Sequence, residues 1–131
     1  MNPNIPNSSS LSPIHKKALD IFTLSKHISK YLVHDLATLS INGKEDPNIY
    51  FSGDIVQQSI SLAPEIVNAE NKTFSEEKHK HIVSLSHLTN DLYRNCERLE
   101  RSNSNGKEFL LLLRKEINKF KKLQHIWMLT L

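Results

Sequence analysis

Residues 75–102 read SEEKHKHIVSLSHLTNDLYRNCERLERS, and this stretch decides the fold. Its mostly apolar side chains recur at alternating intervals of four and three: Lys78, Ile82, Leu85, Thr89, Leu92, Cys96 and Leu99. This seven-residue period lines one side of an α-helix with a narrow seam that must pack against other helices. At about 1.5 Å per residue the segment forms a rod of about 40 Å. We therefore predict a helical bundle.

The composition of the chain supports a single helical domain. The 131 residues include only three glycines, and each lies between periodic segments, which is typical of long helices joined by a few breaks. Cys96 is the single cysteine, so we expect neither a disulfide framework nor a cysteine-based zinc site. The residues contain no signal peptide and no apolar run of membrane-spanning length, so we expect a cytoplasmic protein without a membrane partner.

The predicted fold is all-α, an up-down four-helix bundle over residues 13–131 that follows a disordered tail at residues 1–12. Ser12 and Pro13 form a favourable start for the first helix, which should end at Asn42-Gly43. The second helix should begin after Ser52-Gly53. Pro64 lies inside its pattern and predicts a kink near residues 60–63, because an interior proline removes a backbone hydrogen bond.

The third and fourth helices have clearer patterns. A capping box at residues 73–76 predicts the start of the third helix, which should run to about Arg101. The fourth should occupy about residues 107–128, with an apolar arc formed by Phe109, Leu110, Leu112, Leu113, Ile117, Phe120, Leu123 and Trp127. Leu111 and Ile126 fall on its basic side and predict a second, intersubunit contact, although simple exposure is the alternative.

Eleven side chains are expected to form the core. They come from all four predicted helices and are Ile28, Leu32, Ile60, Ile66, Ile82, Leu85, Leu92, Leu99, Leu113, Ile117 and Phe120.

The charge of the chain is unevenly distributed. Residues 44–77 hold seven acidic and two basic side chains, whereas residues 107–131 hold six basic and two acidic ones. Such a polarised surface favours self-assembly through complementary faces or contact with a polyanion. For any single residue, an ordinary solvated charge is the alternative interpretation.

The basic side chains form two candidate nucleic-acid clusters. The first comprises Arg114, Lys115, Lys119, Lys121 and Lys122, and the second Arg94, Arg98 and Arg101. Such cations can follow a phosphate backbone with an affinity that falls as salt rises. We expect no base stacking, since Phe109, Phe120 and Trp127 lie on the predicted buried arc. The predicted binding is therefore independent of base sequence.

No catalytic, metal or cofactor motif emerges from the sequence. His79 and His81 lie about 200° apart around a helix, so they cannot chelate one ion together. Residues 33–36, VHDL, resemble the phospho-accepting H-box of histidine-kinase dimerisation domains, which implies phosphotransfer through His34. That family places a basic residue and a proline where this chain has Ala37 and Leu39. We predict a non-enzymatic protein, with His34 phosphotransfer as an alternative.

Residues 55–70 read IVQQSISLAPEIVNAE and carry a second resemblance. They look like the second-helix signature of small bacterial four-helix-bundle proteins encoded in intervening sequences of large-subunit ribosomal RNA genes, relatives of the accessory variability proteins of diversity-generating retroelements. The matching positions are Ser61, Leu62, Ile66 and Ala69. Glu65 and Asn68 stand where the family usually has Asn and Glu, and its glycine is missing.

This second resemblance implies an up-down bundle that often assembles as a ring-shaped pentamer. For the retroelement branch it also implies binding to RNA or DNA and to a reverse transcriptase. Our leading hypothesis is an oligomeric accessory protein that binds nucleic acid. The alternative is an assembly or scaffold module without nucleic-acid binding.

Overall fold

The structure, a computed structural model, describes residues 12–38, 48–102 and 106–131. These residues form five helical segments: α1 Pro13–Thr38, α2 Asn48–Ile60, α3 Leu62–Asn71, α4 Ser75–Glu100 and α5 Lys107–Met128. Only Ser61 separates α2 from α3, so the two make one interrupted helix and the bundle has four rods. The described part of the chain contains no strand. The all-α prediction is confirmed. Residues 1–11 of the predicted tail and the predicted end of the first helix lie outside the described residues.

The four rods alternate in direction. In each pair of neighbouring rods, the side-chain contacts follow one helix in increasing residue number and the other in decreasing residue number. Those between α3–α2 and α4 join Glu65 to His81 and Gln58 to Asn95, and those between α4 and α5 join Ser86 to Gln124 and Glu100 to Arg114. The first helix packs against α5 in the same antiparallel sense, through Lys17 with Glu116 and Tyr31 with Phe109. The predicted up-down topology is therefore confirmed.

The seam predicted for α4 is buried. Leu85, Thr89, Leu92, Cys96 and Leu99 lie in the core, and Lys78 and Ile82 are partly exposed. Burial of each such leucine side chain favours folding by about 1.5–3 kcal/mol relative to exposure. Nine of the eleven predicted core residues are buried and Ile82 packs at the edge of the core.

Ile60 is the predicted core residue that the structure places on the surface, with 48% of its area exposed. The buried positions of α2 and α3 are Ser52, Ile55, Ser59, Leu62, Ile66 and Ala69. Their intervals of three and four continue across Ser61, so Ile60 follows a seam position and points about 100° away from it.

The kink predicted from Pro64 corresponds to the interruption at Ser61. Proline has no N–H to donate to the carbonyl of Ile60, so the regular helical bond at this position is absent. Two hydrogen bonds flank this position. Ser61 Oγ donates to the carbonyl of Gln57 at 3.0 Å, and the N–H of Glu65 donates to the carbonyl of Ser61 at 3.4 Å.

The helix starts agree with the sequence at α1 and differ at α2 and α4. The N–H of His15 donates to Ser12 Oγ at 3.4 Å, as expected for the predicted cap. The predicted capping box at residues 73–76 is wrong: α4 begins at Ser75, and Phe74 at its N-cap position makes no side-chain cap hydrogen bond. The backbone carbonyl of Phe74 accepts from the N–H groups of Glu77 and Lys78 instead.

The second helix begins at Asn48, five residues before the predicted start near Gly53. Ser52, just before the predicted start, is buried inside α2, where its hydroxyl donates to the carbonyl of Ile49. Hydrogen bonding within the helix thus satisfies a side chain that otherwise favours helix ends. Gly53 is exposed within the same helix.

The fifth helix has the predicted bounds but a narrower buried stripe. Phe109 and Leu112, placed on the buried arc by the sequence, are each 46% exposed. The buried positions are Leu110, Leu113, Ile117, Phe120, Gln124 and Trp127, spaced by three and four. A bundle helix buries this stripe, and residues on its flank reach the surface. Leu111 and Ile126 are exposed on the basic side of the helix, and the intersubunit contact predicted for them stays a prediction.

Among the described helices, none combines the length and the apolar character that a membrane span requires.

Candidate nucleic-acid interface

Six of the eight predicted basic residues lie on outward helix faces. Arg94, Arg98 and Arg101 are exposed along α4 and just after its end, and Lys115, Lys119 and Lys122 are exposed along α5. Each trio has the spacing i, i+4, i+7, which keeps its members on one face. Because the seams of both helices are buried against the core, the opposite faces carry these cations into solvent. We call Lys115, Lys119 and Lys122 the α5 ridge.

Arg114 faces α4 rather than solvent. Its Nε donates to Glu100 Oε1 at 2.8 Å, and its Nη1 donates to the hydroxyl of Tyr93 at 3.3 Å. The hydrogen bonds to Tyr93 and Glu100 raise the pKa of Arg114 above its already high ordinary value. A phosphate contact through Arg114 would therefore compete with Glu100.

Lys121 also faces α4. Its Nζ lies 4.4 Å from the centroid of the Tyr93 ring, within the range of a cation–π interaction. The side chain is partly buried. Arg114 and Lys121 therefore line the α4–α5 groove, one helix flank away from the α5 ridge.

The outward cations differ in how far acidic partners neutralise them. Lys119 Nζ lies 3.1 Å from Glu116 Oε1, and Arg94 Nη1 lies 3.9 Å from Asp91 Oδ1. Lys115 and Lys122 have no acidic partner within the described ranges. These two lysines are consequently the cations of the α5 ridge most open to a phosphate.

The arginines of α4 form a less favourable surface than the sequence suggested. The guanidinium of Arg98 stacks over the Phe51 ring at 4.2 Å from its centroid. Over its whole length α4 carries five acidic and four basic side chains, whereas α5 carries two acidic and six basic ones. The basic surface of the bundle is thus centred on α5.

The aromatic side chains of α5 are engaged inside the protein. Phe120 and Trp127 are buried, and the indole N–H of Trp127 donates to Glu70 Oε2 at 3.2 Å. Phe109 was expected to be buried; it is exposed and makes an edge-to-face contact with Tyr31 at 5.3 Å between ring centroids. Because Tyr31 contacts Phe109, a nucleic-acid base would have to stack on the remaining exposed part of the Phe109 ring.

An apolar groove lies between α1 and α5, which the sequence did not predict. It has a volume of about 360 Å³ and is lined by Leu24, His27, Ile28, Tyr31, Phe109 and Leu112. Its residues come from flanking positions of two helices, so neither pattern alone reveals it. Phe109 and Leu112 were the available signal, since they widen the apolar arc of α5 beyond the stripe that a bundle helix buries.

The histidines do not assemble a metal site within the described ranges. No group of three histidine, cysteine or acidic side chains there is arranged to hold a metal ion. His81 Nδ1 lies 2.8 Å from Glu65 Oε2 and joins α4 to α3. His34 is exposed on α1. Phosphotransfer through His34 stays a prediction.

Comparison with known proteins gives no match: no family model, no curated protein and no solved structure matches the chain. The resemblances of residues 33–36 and 55–70 therefore stay predictions.

Proposed function

We propose that the chain is a non-enzymatic accessory protein that binds RNA or DNA without sequence specificity through α5. The observation that carries the proposal is the α5 ridge: three exposed lysines on one helix face, two of them without an acidic partner in the described residues. The helix that bears them has six basic and two acidic side chains. A positively charged helix face of this kind attracts a polyanion and steers its approach.

The length of the α5 ridge fits a phosphate backbone. Lys115 and Lys122 are seven residues apart, which corresponds to about 10 Å along the helix axis. One strand of a B-form duplex carries a phosphate every 3.4 Å of its axis, but the strand winds around that axis, so a straight ridge of this length reaches about two phosphates of one strand. The ridge therefore offers at least one ammonium group per phosphate.

The remaining predicted contacts rank below the ridge. Lys121 lies one helix flank away from the ridge, and its ammonium contacts the Tyr93 ring. Arg94, Arg98 and Arg101 form a second patch on α4, where nearby carboxylates weaken the field. Arg114 contributes mainly by joining α4 to α5 through Glu100.

The exposed lysines and the buried aromatic side chains of α5 support binding that is independent of base sequence. Phosphate contacts position a nucleic acid, whereas base contacts give specificity. Lysines present a flexible point charge, and Phe120 and Trp127 are used inside the core. The proposed affinity is therefore electrostatic and similar for different base sequences.

The proposal includes partners. The resemblance of residues 55–70 supports a homo-oligomer, a pentamer in that family, that works beside a reverse transcriptase in the cytoplasm. The apolar α1–α5 groove supplies a surface that a protein partner can cover. The oligomer and the apolar groove both fit an accessory protein that binds partners and catalyses no reaction.

A filter-binding titration across salt concentrations tests the proposal. With three to five phosphate contacts, the logarithm of the affinity should fall linearly with the logarithm of the salt concentration, with a slope of about −2 to −4. Oligonucleotides of different base sequence should give the same line. No binding at low salt, or an affinity that ignores ionic strength, would contradict the proposal.

The apolar α1–α5 groove favours a second candidate, an assembly module that binds no nucleic acid. Exposed apolar contacts such as Tyr31, Phe109 and Leu112 commonly mark protein interfaces. Light scattering at micromolar concentration should give a mass above that of the monomer, and Leu112→Gln should reduce it. Leu19→Gln, at an exposed position of α1 outside the groove, is the matched control. A monomeric wild-type protein would exclude this candidate and the oligomeric part of the first.

A further inference from the structure

A polar pocket lies between α4 and α5, beside the basic surface. It has a volume of about 220 Å³ and opens to solvent; its lining comprises the polar residues Ser86, Thr89, Asn90, Lys121, Gln124 and His125 together with the apolar Met128. Thr89 and Gln124 are buried and form its base. The other four polar side chains and Met128 reach the surface around it.

Hydrogen bonds hold the base of the pocket in place. Gln124 Nε2 donates to Ser86 Oγ at 2.9 Å. Thr89 Oγ1 donates to the carbonyl of Leu85 at 2.7 Å and lies 3.4 Å from Gln124 Oε1. Since Ser86 Oγ accepts from Gln124, the Ser86 hydroxyl keeps its proton to donate elsewhere. Ser86, beside the base, therefore offers a hydroxyl donor to a group that enters the pocket.

Gln124 occupies a seam position of α5, between Phe120 and Trp127, where an apolar side chain would pack without needing polar partners. Burying an amide is unfavourable unless its hydrogen bonds are satisfied, and a satisfied network fixes its members rigidly. Gln124 thus provides a fixed polar surface where an apolar side chain would pack better, and binding sites contain such precisely placed polar groups.

The chemistry of the lining favours an anion. None of its described members is acidic, and the pocket brings together a lysine, a histidine, two amides and two hydroxyls. Lys121 belongs to this lining, and its ammonium also contacts the Tyr93 ring at 4.4 Å from the ring centroid. Multiple neutral donors and one ammonium match the several acceptor oxygens of a phosphoryl group.

We propose that this pocket binds a single phosphoryl group, supplied either by a free nucleotide or by the terminal phosphate of a nucleic acid. This site goes beyond the proposed function, because it recognises one phosphate by shape and donors and does not require the α5 ridge. Lys121 supplies the charge, and Ser86 and Asn90 supply neutral donors.

A nuclear magnetic resonance titration of the protein with inorganic phosphate tests the proposal, with chloride at equal ionic strength as the reference. Saturable shifts should centre on Ser86, Asn90, Gln124 and His125. Lys121→Gln should weaken phosphate binding about tenfold, as expected for loss of a charge-assisted hydrogen bond. Lys30→Gln, the same charge change at an exposed position of α1, is the matched control and should change it less than twofold. Equal effects of the two variants, diffuse shifts, or no saturation would overturn the proposal.

Two further arms separate the sources of the phosphoryl group and the two proposals. Adenosine monophosphate should bind at the pocket and adenosine should not, and an oligonucleotide with a 5′-phosphate should bind more tightly than one with a 5′-hydroxyl if the terminal group is used. Phosphate binding without oligonucleotide binding would refute the proposed function alone. Salt-dependent oligonucleotide binding without phosphate binding would refute the pocket alone.

Discussion

Arg114 joins α4 to α5 from the middle of the most basic helix. Its guanidinium is planar, and its fixed fork of donors contacts Glu100 and Tyr93 at once. Lys115 and Lys122 have no such fork, and they extend into solvent. The chemistry of the side chain thus separates a structural cation from the candidate phosphate contacts on the same helix.

Cys96 should be almost unreactive in the folded protein. Burial, reinforced by the nearby Glu100 carboxylate, raises the pKa of its thiol from 9.0 to about 12. At pH 8 the thiolate fraction is then about a thousandfold below that of a free thiol, and the thiolate is the reactive form. Labelling with a disulfide reagent should therefore be slow in buffer and immediate in guanidinium chloride.

A matched control for this labelling is Thr23→Cys in a Cys96→Ala background, because position 23 is exposed on α1. That thiol should react at once in the native protein. If native Cys96 reacted within about tenfold of the unfolded rate, the burial of the α4 seam would be contradicted.

Glu116 should give a small, pH-dependent contribution to stability. Hydrogen bonds from Lys17 at 2.7 Å and Lys119 at 3.1 Å hold the pKa of its carboxyl below the ordinary value of 4.5. The stabilisation is complete above the pKa of the unfolded chain and is lost as pH falls through the lower pKa of the folded state. Glu116→Gln should lower the free energy of unfolding at pH 7 by about 0.5–1 kcal/mol.

Urea unfolding at pH 7 and pH 2.5 checks this prediction. The difference between the wild type and Glu116→Gln should shrink at the lower pH. Glu97→Gln, a partly exposed glutamate of α4 without a described partner, should change stability by less than about 0.5 kcal/mol at pH 7. A Glu116→Gln difference that grew on acidification would have the wrong sign.

At the scale of helical elements, the interrupted helix α2–α3 gives the sharpest test of packing. Ile66→Ala removes a fully buried side chain and should destabilise the bundle by about 2–5 kcal/mol. Ile60→Ala makes the same chemical change at a half-exposed position and should cost less than about 1 kcal/mol. Urea unfolding at one protein concentration measures both changes in the free energy of unfolding. Equal losses would show that the seam does not continue across Ser61 as described.

The sequence predicts these elements where one physical effect dominates. The period of α4, the bounds of α5 and the start of α1 follow from seams and a cap that lie within one segment. The start of α4 does not, because the backbone carbonyl of Phe74 replaces the side-chain cap. The exposure of Phe109 was not predictable either. It lies on the apolar side of α5, and only the position of α1 determines how much of that side is covered.

The candidate site was predictable to a similar degree. Helical spacing places Lys115, Lys119 and Lys122 on one exposed face, and the structure agrees. Partners from other helices were not predictable, since Glu100 reaches Arg114 and Phe51 reaches Arg98 only after the bundle closes. The polar pocket depends on Gln124, a buried amide that a hydrophobic pattern passes over.

At the scale of the whole molecule, the bundle separates charge across its diagonal. The described residues of α2 and α3 include three acidic side chains and no basic one, whereas α5 has a net excess of four basic side chains. Contacts place α1 and α4 beside both of these rods, so α5 and α2–α3 occupy opposite corners. A polyanion bound at the α5 ridge is thus kept away from Asp54 and Glu65, whereas Glu70 contacts α5 through Trp127.

The most direct test of the account compares two double variants in the same salt titration of nucleic-acid binding. Lys115→Gln with Lys122→Gln removes the two cations of the α5 ridge that have no acidic partner among the described residues, and it should weaken binding and reduce the salt slope by about two. Lys16→Gln with Lys30→Gln makes the same charge change at exposed positions of α1 and should leave the slope almost unchanged. Equal losses in both double variants would contradict a nucleic-acid face centred on α5.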